Sequence, residues 1–133
     1  MADYTAKQID QMEGLYRGAM RKVRAELGLT SFGVQTIDLP PNSDRHPWHD
    51  HSSDGQEELY LALRGSGTLE VEGAEPVALR PGQTLARVGP GARRRVVAGP
   101  DGVRLLIVGG VPGKAFTATD FTELGAPDPA ASR

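Results

Sequence analysis

The sequence predicts an all-β domain with an N-terminal helical segment, and three features carry that expectation. From Phe32 onward the chain is a series of short apolar runs punctuated by turn residues, which is the texture of a sheet-based fold. Seventeen Gly and ten Pro among 133 residues are too many for a helical protein and too few for a low-complexity chain. Before Phe32 the apolar residues recur instead at three- and four-residue steps, the period of a helix. A chain of this length holds one core with little room for a second. The expected organisation is a helical segment over 1–30, a β domain over 31–125 and a flexible tail over 126–133.

In the first segment Ile9, Met12, Tyr16, Met20, Val23 and Leu27 fall on one helical stripe, which predicts helix over 5–27. Thr5 and Gln8 have the spacing of a capping box, and Gly28 is a natural stop. Gly14 and Gly18 each weaken a helix by about 1 kcal/mol relative to Ala, so two shorter helices parted near 14–18 fit equally well. The stripe needs an apolar surface to bury against, which makes the segment a cover or a dimer element. Strands are expected at 33–39, 46–51, 57–63, 67–72, 75–79, 83–88, 92–98 and 103–108. Gly65-Ser66-Gly67 and Gly99-Pro100-Asp101-Gly102 read as hairpin turns. Leu105-Leu106-Ile107-Val108 is apolar on both faces, as in a strand buried between layers.

Charge excludes some functions. Fifteen Lys and Arg against seventeen Asp and Glu leave a formal charge of -2, which gives no field to gather a phosphate backbone, so nucleic acid is not an expected partner. No stretch approaches the ~18 apolar residues of a membrane span, and the first residues lack the basic and apolar regions of a signal peptide. A cytoplasmic protein without a membrane partner is the expectation. The absence of cysteine excludes disulfides and thiolate ligands, so a bound metal would have to be held by nitrogen and oxygen.

All three histidines lie in His46-Pro47-Trp48-His49-Asp50-His51. Side chains two apart on a strand share a face about 7 Å apart along the backbone, so His49 and His51 can converge on one ion while Asp50 points away. On the next strand the same parity groups Glu58 with Gln56, Tyr60 and Ala62, against Leu59, Leu61 and Leu63 on the other face. Two imidazoles and one carboxylate with open positions suit Fe(II), and also Mn, Ni or Zn.

These residues also resemble a family pattern. His49-Asp50-His51, and Glu58 followed by Gly65 after six intervening residues, are similar to the two halves of the first cupin motif, G-x5-H-x-H-x(3,4)-E-x6-G. Gly82, then Gly89-Pro90-Gly91 and Arg94, resembles the second motif, G-x5-P-x-G-x2-H-x3-N. The resemblance spans roughly residues 33–110 and implies a double-stranded β-helix, the cupin jelly-roll barrel, usually dimeric, with the motif residues lining its interior. It does not imply one reaction. The chain departs from the pattern in four ways. Six residues separate His51 from Glu58, the gap from Gly82 to Gly89 is one residue longer, the leading glycine of the first motif is missing, and Arg94 stands where the last histidine belongs. A protonated guanidinium has no lone pair for a metal.

The remaining side chains divide between roles. Arg94 can anchor an anionic group of a ligand, or it can pair with Glu58, whose buried charge needs a partner. Gln56 can be a neutral oxygen ligand or can cap the loop 52–56. Tyr60 can present its hydroxyl to the cavity or pack in the core, and Trp48 can pack or rim the pocket. His46 could supply a further ligand only by an unusual bend at Pro47. The expected function is a small cupin binding one divalent transition metal and a small, anionic organic ligand, as a homodimer. Were it an enzyme, a metal-dependent oxygenase or isomerase type is expected. The alternative is a metal-free, non-catalytic ligand-binding or sensing cupin.

Overall fold

The computed structural model describes residues 1–132. The first segment is only briefly helical: a 3-10 turn at Ile9–Gln11, then short strands β1 (Gly14–Leu15) and β2 (Met20–Arg21), then α1 (Val23–Leu27). The helix expected over 5–27 is therefore corrected to a hairpin followed by a single turn-and-a-half of helix. The cause lies at the two glycines. Tyr16, Arg17 and Gly18 all take positive φ (53°, 60° and 87°), reversing the chain, and a Cβ on Gly14 would stand 2.8 Å from Gly18 Cα. Met12, Leu15, Met20 and Val23 are buried all the same, but Tyr16 of the helical stripe is exposed. Gln8 makes no side-chain capping bond.

The strands that follow form antiparallel sheet: β3 (Gly33–Leu39), β4 (Glu57–Val71), β5 (Val77–Leu79), β6 (Ala86–Val88) and β7 (Arg94–Gly110), with 3-10 turns after them at Asp120–Thr122 and Pro129–Ser132. The order is β1-β2-β3-β7-β4-β5, with β6 also on β4. The two expected hairpin turns are instead kinks inside the long strands β4 and β7, which pair on both sides of the kinks. The register slips at Ala62/Arg64 and again at Gly65/Gly67, where Gly65 opposes Val103 and Gly67 opposes Ala98, so residues 99–102 have no partner in β4. Bulges of this kind bend a strand pair. Glycine is required at the bend: Gly65 and Gly102 have φ of 71° and 75°, and a Cβ on Gly65 would lie 2.1 Å from Gly102 O.

Bending lets one strand pair wrap one core. One edge of β4 pairs β6 through residues 58–60 and β5 through 67–69, and the inward residues of both halves meet in a single cluster with Leu79 and Val88. Tyr60, Ala62, Leu69, Val96, Ala98, Val103, Leu105 and Ile107 belong to it. Burial along β4 alternates strictly from Glu57 to Ala62, so the parity read from the sequence holds there. The expected strand at 46–51 is not formed; that stretch touches the sheet only through an isolated bridge between His49 and Arg94. Among the described residues no helix is long and apolar enough to cross a membrane.

Of the tail expected to be flexible over 126–133, Arg133 lies outside the described residues. Ahead of it, the main-chain oxygens of Glu123 and Ala126 accept from buried Lys22 at 2.7 and 3.4 Å, and Asp128 accepts the N–H groups of Tyr16 and Arg17.

Candidate metal centre

Three pieces of backbone bring the sequence-predicted site together. Glu58 and Tyr60 face inward from β4, where Glu58 opposes Gly109 of β7 and Val88 of β6. A Cβ on Gly109 would lie 2.7 Å from Gln56 Oε1 and 3.3 Å from Glu58 Cγ, so the absence of a side chain there makes room for both. His49 is fixed to the start of β7 by a reciprocal pair of bonds, its N–H to Arg94 O at 3.0 Å and the Arg94 N–H to its own carbonyl at 2.9 Å. His51 N–H donates to Pro90 O at 2.8 Å. The loop thus runs along the 90–94 backbone rather than forming a strand, and the two imidazoles still converge.

His49, His51 and Glu58 offer ligand atoms all within 4.8 Å of one another. Each imidazole has one nitrogen committed outside the cluster. His49 Nδ1 lies 2.9 Å from Pro47 O, and His51 Nδ1 lies 3.1 and 3.2 Å from the two Asp54 oxygens. A carbonyl or carboxylate there takes the Nδ1 proton and leaves the Nε2 lone pair for a metal, the usual outer support of a metal-bound imidazole. The donor set, two supported imidazoles and a carboxylate, fits a divalent transition metal. Asp54 is the functional residue that sequence parity missed. Its position three residues past His51, in a turn closed by Gly55 N–H to His51 O at 2.8 Å, was the available signal.

Glu58 is buried and its Oε1 is crowded. Arg94 Nη2 donates to it at 2.8 Å, Tyr60 O–H at 2.9 Å, and His51 Nε2 stands 3.4 Å away. Oε2 takes no hydrogen bond from the described residues. Burial works to raise the Glu58 pKa, but the contacts with His51, Arg94 and Tyr60 outweigh it and bring it down to about 2. The contact with Glu58 in turn raises the His51 pKa, against the effect of burial.

The same network decides between the two roles open to Arg94. Its side chain is 0% exposed, and its donors go to Glu58, to Tyr60 Oη at 3.3 Å, and to the carbonyls of Gly89 (3.2 Å) and Ala92 (2.7 Å). The geometry puts it in the ion-pair role and leaves no exposed edge for the anionic ligand group it was expected to anchor. Tyr60, 0% exposed, likewise gives its hydroxyl to Glu58 rather than to a cavity, and burial raises its pKa far above the ordinary phenol range. Gln56 donates through Nε2 and its own N–H to Asp54, both at 3.1 Å, which is the loop-capping role. The half-buried Trp48 ring has the guanidinium carbons of Arg93 and Arg95 at 5.6 and 5.0 Å from its centroid. Two cavities of about 390 and 300 Å³ flank this end of the sheet, the first bordered by Phe32, Glu58 and Arg87, the second by Asp54, Gln56 and Phe116. Neither is lined by His49 or His51.

With this geometry in place, the chain can be set beside known proteins. It is similar over 90% of its length to a solved cupin protein from Bacteroides fragilis, with a TM-score of 0.67, 24% identity and 93% of that chain covered. The fold is that of the cupins. A second solved structure, a Klebsiella pneumoniae protein with a double-stranded β-helix domain, is matched over 66% of this chain and 73% of that one, with a TM-score of 0.53 and 19% identity. A third is a DMSP lyase from Ruegeria pomeroyi, matched over 70% of this chain and 45% of that one at a TM-score of 0.54 and 20% identity. No protein-family model matches the chain, and no curated protein matches it.

Proposed function

We propose that this cupin binds one divalent transition metal, Fe, Mn, Ni or Zn, through His49, His51 and Glu58, and takes a small, anionic organic ligand at the open coordination positions. One observation carries the reading: both imidazoles have Nδ1 committed to oxygen acceptors, so two Nε2 lone pairs are set toward a carboxylate whose Oε2 has no donor among the described residues. A bound metal would supply Lewis acidity for an oxygen group of the ligand. The chain's residues supply the rest: Arg94 and Tyr60 hold Glu58 by Oε1, and Asp54 and Pro47 hold the two rings. That one solved structural neighbour is a DMSP lyase supports a small organic molecule as ligand. The oxygenase and isomerase chemistries implied by the resemblance are the activities to screen first.

Elemental analysis of untagged protein, before and after reconstitution with Fe, Mn, Ni and Zn, tests the reading. About one equivalent of one metal is expected, and below about a tenth of an equivalent in every case defeats it. The second reading, a metal-free ligand-binding or sensing cupin, is favoured by one specific contact: the Arg94 ion pair already neutralises Glu58 without an ion. Thermal shifts with small organic acids that are unchanged by a chelator would support that alternative. Homodimer formation is part of the same proposal. Leu59, Leu61 and Leu63, pointing outward from β4 and only partly covered, support it, and light scattering on the purified protein tests it.

A further inference from the structure

Beside the three-residue cluster stands a buried polar group with a hydrogen to give and nothing in the described protein to take it. His46 is 7% exposed, and its Nδ1 accepts the main-chain N–H of Val96 at 2.9 Å. A ring nitrogen that accepts carries no proton, so the ring is the neutral tautomer with its hydrogen on Nε2. This excludes the fourth-ligand role as well, because the Nδ1 lone pair is spent and Nε2 has none. The Nε2–H group meets no acceptor among the described residues, yet it is not sealed in. The sealed side-chain polar atoms without a partner are Arg21 Nε and Thr36 Oγ1. The ring lies edge to face against His49, with centroids 5.3 Å apart and an interplanar angle of 83°, and His49 stands at 5.4 Å from His51 in the same way. Solvent reaches this donor from an otherwise buried ring, and an acceptor that arrives with a ligand takes the place of that water.

We infer that His46 is a positioning residue for the ligand: its Nε2–H donates to an oxygen of a small carboxylate bound at an open position of the metal. The inference rests on the metal reading above. It assigns anion recognition to the metal's charge together with one fixed neutral donor, since the guanidinium of Arg94 has no exposed edge. A carboxylate oxygen, which accepts, should then gain from His46, while a metal ligand that offers no acceptor on that side should not.

The experiment uses the full chain loaded with Co(II), whose visible absorption reports exchange of ligands, titrated with acetate and separately with imidazole. His46→Asn keeps an oxygen to accept the Val96 N–H and removes the Nε2 donor. Acetate is expected to bind about tenfold or more weakly to that variant, with imidazole and Co(II) affinities within about threefold of the unaltered protein. His46→Gln, which can place an N–H near the Nε2 position, should recover most of the acetate affinity. Acetate affinity unchanged in H46N with Co(II) retained overturns the inference and leaves the metal reading standing. Loss of Co(II) in H46N overturns it in favour of a ligand role, and failure of the unaltered protein to take Co(II) removes both readings. Should both variants fail to fold, nitrogen-detected NMR of the unaltered Zn(II)-loaded protein decides. Acetate is expected to move the His46 Nε2–H resonance, and a resonance that stays in place through saturation sinks the idea.

Discussion

Arg94→Met tests whether the ion pair is the device that keeps a charge on Glu58. The substitution leaves a chain of similar length in a side-chain position that is 0% exposed, but it removes the cation 2.8 Å from a carboxylate whose side chain is 8% exposed. Breaking a buried pair by removing one partner costs about 3–5 kcal/mol, because the other charge stays behind. A chain of 133 residues has a total stability of roughly 7–20 kcal/mol, so the protein should still fold in buffer while its thermal midpoint falls by about 10–20 °C. Urea unfolding followed by circular dichroism in EDTA gives the free energy directly. The double variant Glu58→Gln with Arg94→Met removes both charges and should recover at least about 2 kcal/mol of the loss. A saturating metal should stabilise Arg94→Met more than it stabilises the unaltered protein, since cation and guanidinium compete to neutralise one carboxylate; a ligand at 100 times its Kd contributes about 2.7 kcal/mol. A single variant that loses less than about 1 kcal/mol, or a double variant no more stable than Arg94→Met, would refute the charge argument.

Three other outcomes follow from the same contacts. Burial, with lesser help from His49 and Arg94 and against Glu58, holds the His46 pKa down at about 4 from an ordinary 6.5, so the stability present above 6.5 is lost as pH falls toward 4; Glu58, at about 2 against an ordinary 4.5, adds a second loss below 4.5. In chelator, urea midpoints should therefore drop in two stages, with the raised His51 pKa working in the opposite sense, and His46→Asn should abolish the upper stage; an unchanged slope between pH 6.5 and 4 in that variant counts against the assignment. Lys22→Met, which removes a buried ammonium bonded to Glu13 and to the oxygens of Glu123 and Ala126, should cost about 2 kcal/mol and expose the chain near 123–128 to protease, whereas an uncut tail would show that other contacts hold it. Gly65→Ala and Gly73→Ala both force a side chain onto positive φ (71° and 82°), but only the first meets a backbone oxygen, at 2.1 Å, so Gly65→Ala should be the more destabilised by about 2 kcal/mol or more, and equal urea midpoints would argue against a tight bend at 65 and 102.

Period-2 alternation, a local property, carried the β4 half of this site, whereas His49 and His51 converge from a loop rather than from the expected strand. Once Glu58 was placed on a strand, Tyr60 had to share its face, and burial along β4 follows that parity. The same local logic misread the first segment, where a helical stripe and a hairpin can bury nearly the same apolar residues. What decides is the backbone of Tyr16-Arg17-Gly18, a left-handed turn that two glycines four residues apart make possible. Residues 65–67 and 99–102 have the composition of turns, and composition does not distinguish a chain that reverses from one that kinks and continues. Only the pairing of Gly65 with Val103 and of Gly67 with Ala98, set by contacts distant in sequence, makes them the bend of a barrel. The part proposed for His46 was hidden for another reason: it lies in which ring nitrogen the Val96 hydrogen bond occupies, and no spacing rule reports a tautomer.

Arg94 bears on how the site should be read as a whole. At the position where the cupin pattern places its last histidine, this chain has a cation that cannot bind a metal and that engages the carboxylate next to it. A histidine there would add a neutral donor and leave the Glu58 charge to the metal. The arginine subtracts a donor and supplies a permanent charge, so it would lower the affinity for a metal twice, by ligand count and by competition for Glu58. It does so through Oε1, near which His51 Nε2 also stands at 3.4 Å, while Oε2 takes no hydrogen bond from the described residues, so a metal site there would be weakened without being closed. A centre of that kind should exchange its metal readily and should leave more open positions than a four-ligand site. The two readings then separate on affinity: metal that binds, exchanges and makes the protein competent for carboxylate fits the open three-ligand centre, and carboxylate binding indifferent to chelator fits a barrel in which Arg94 has replaced the metal altogether.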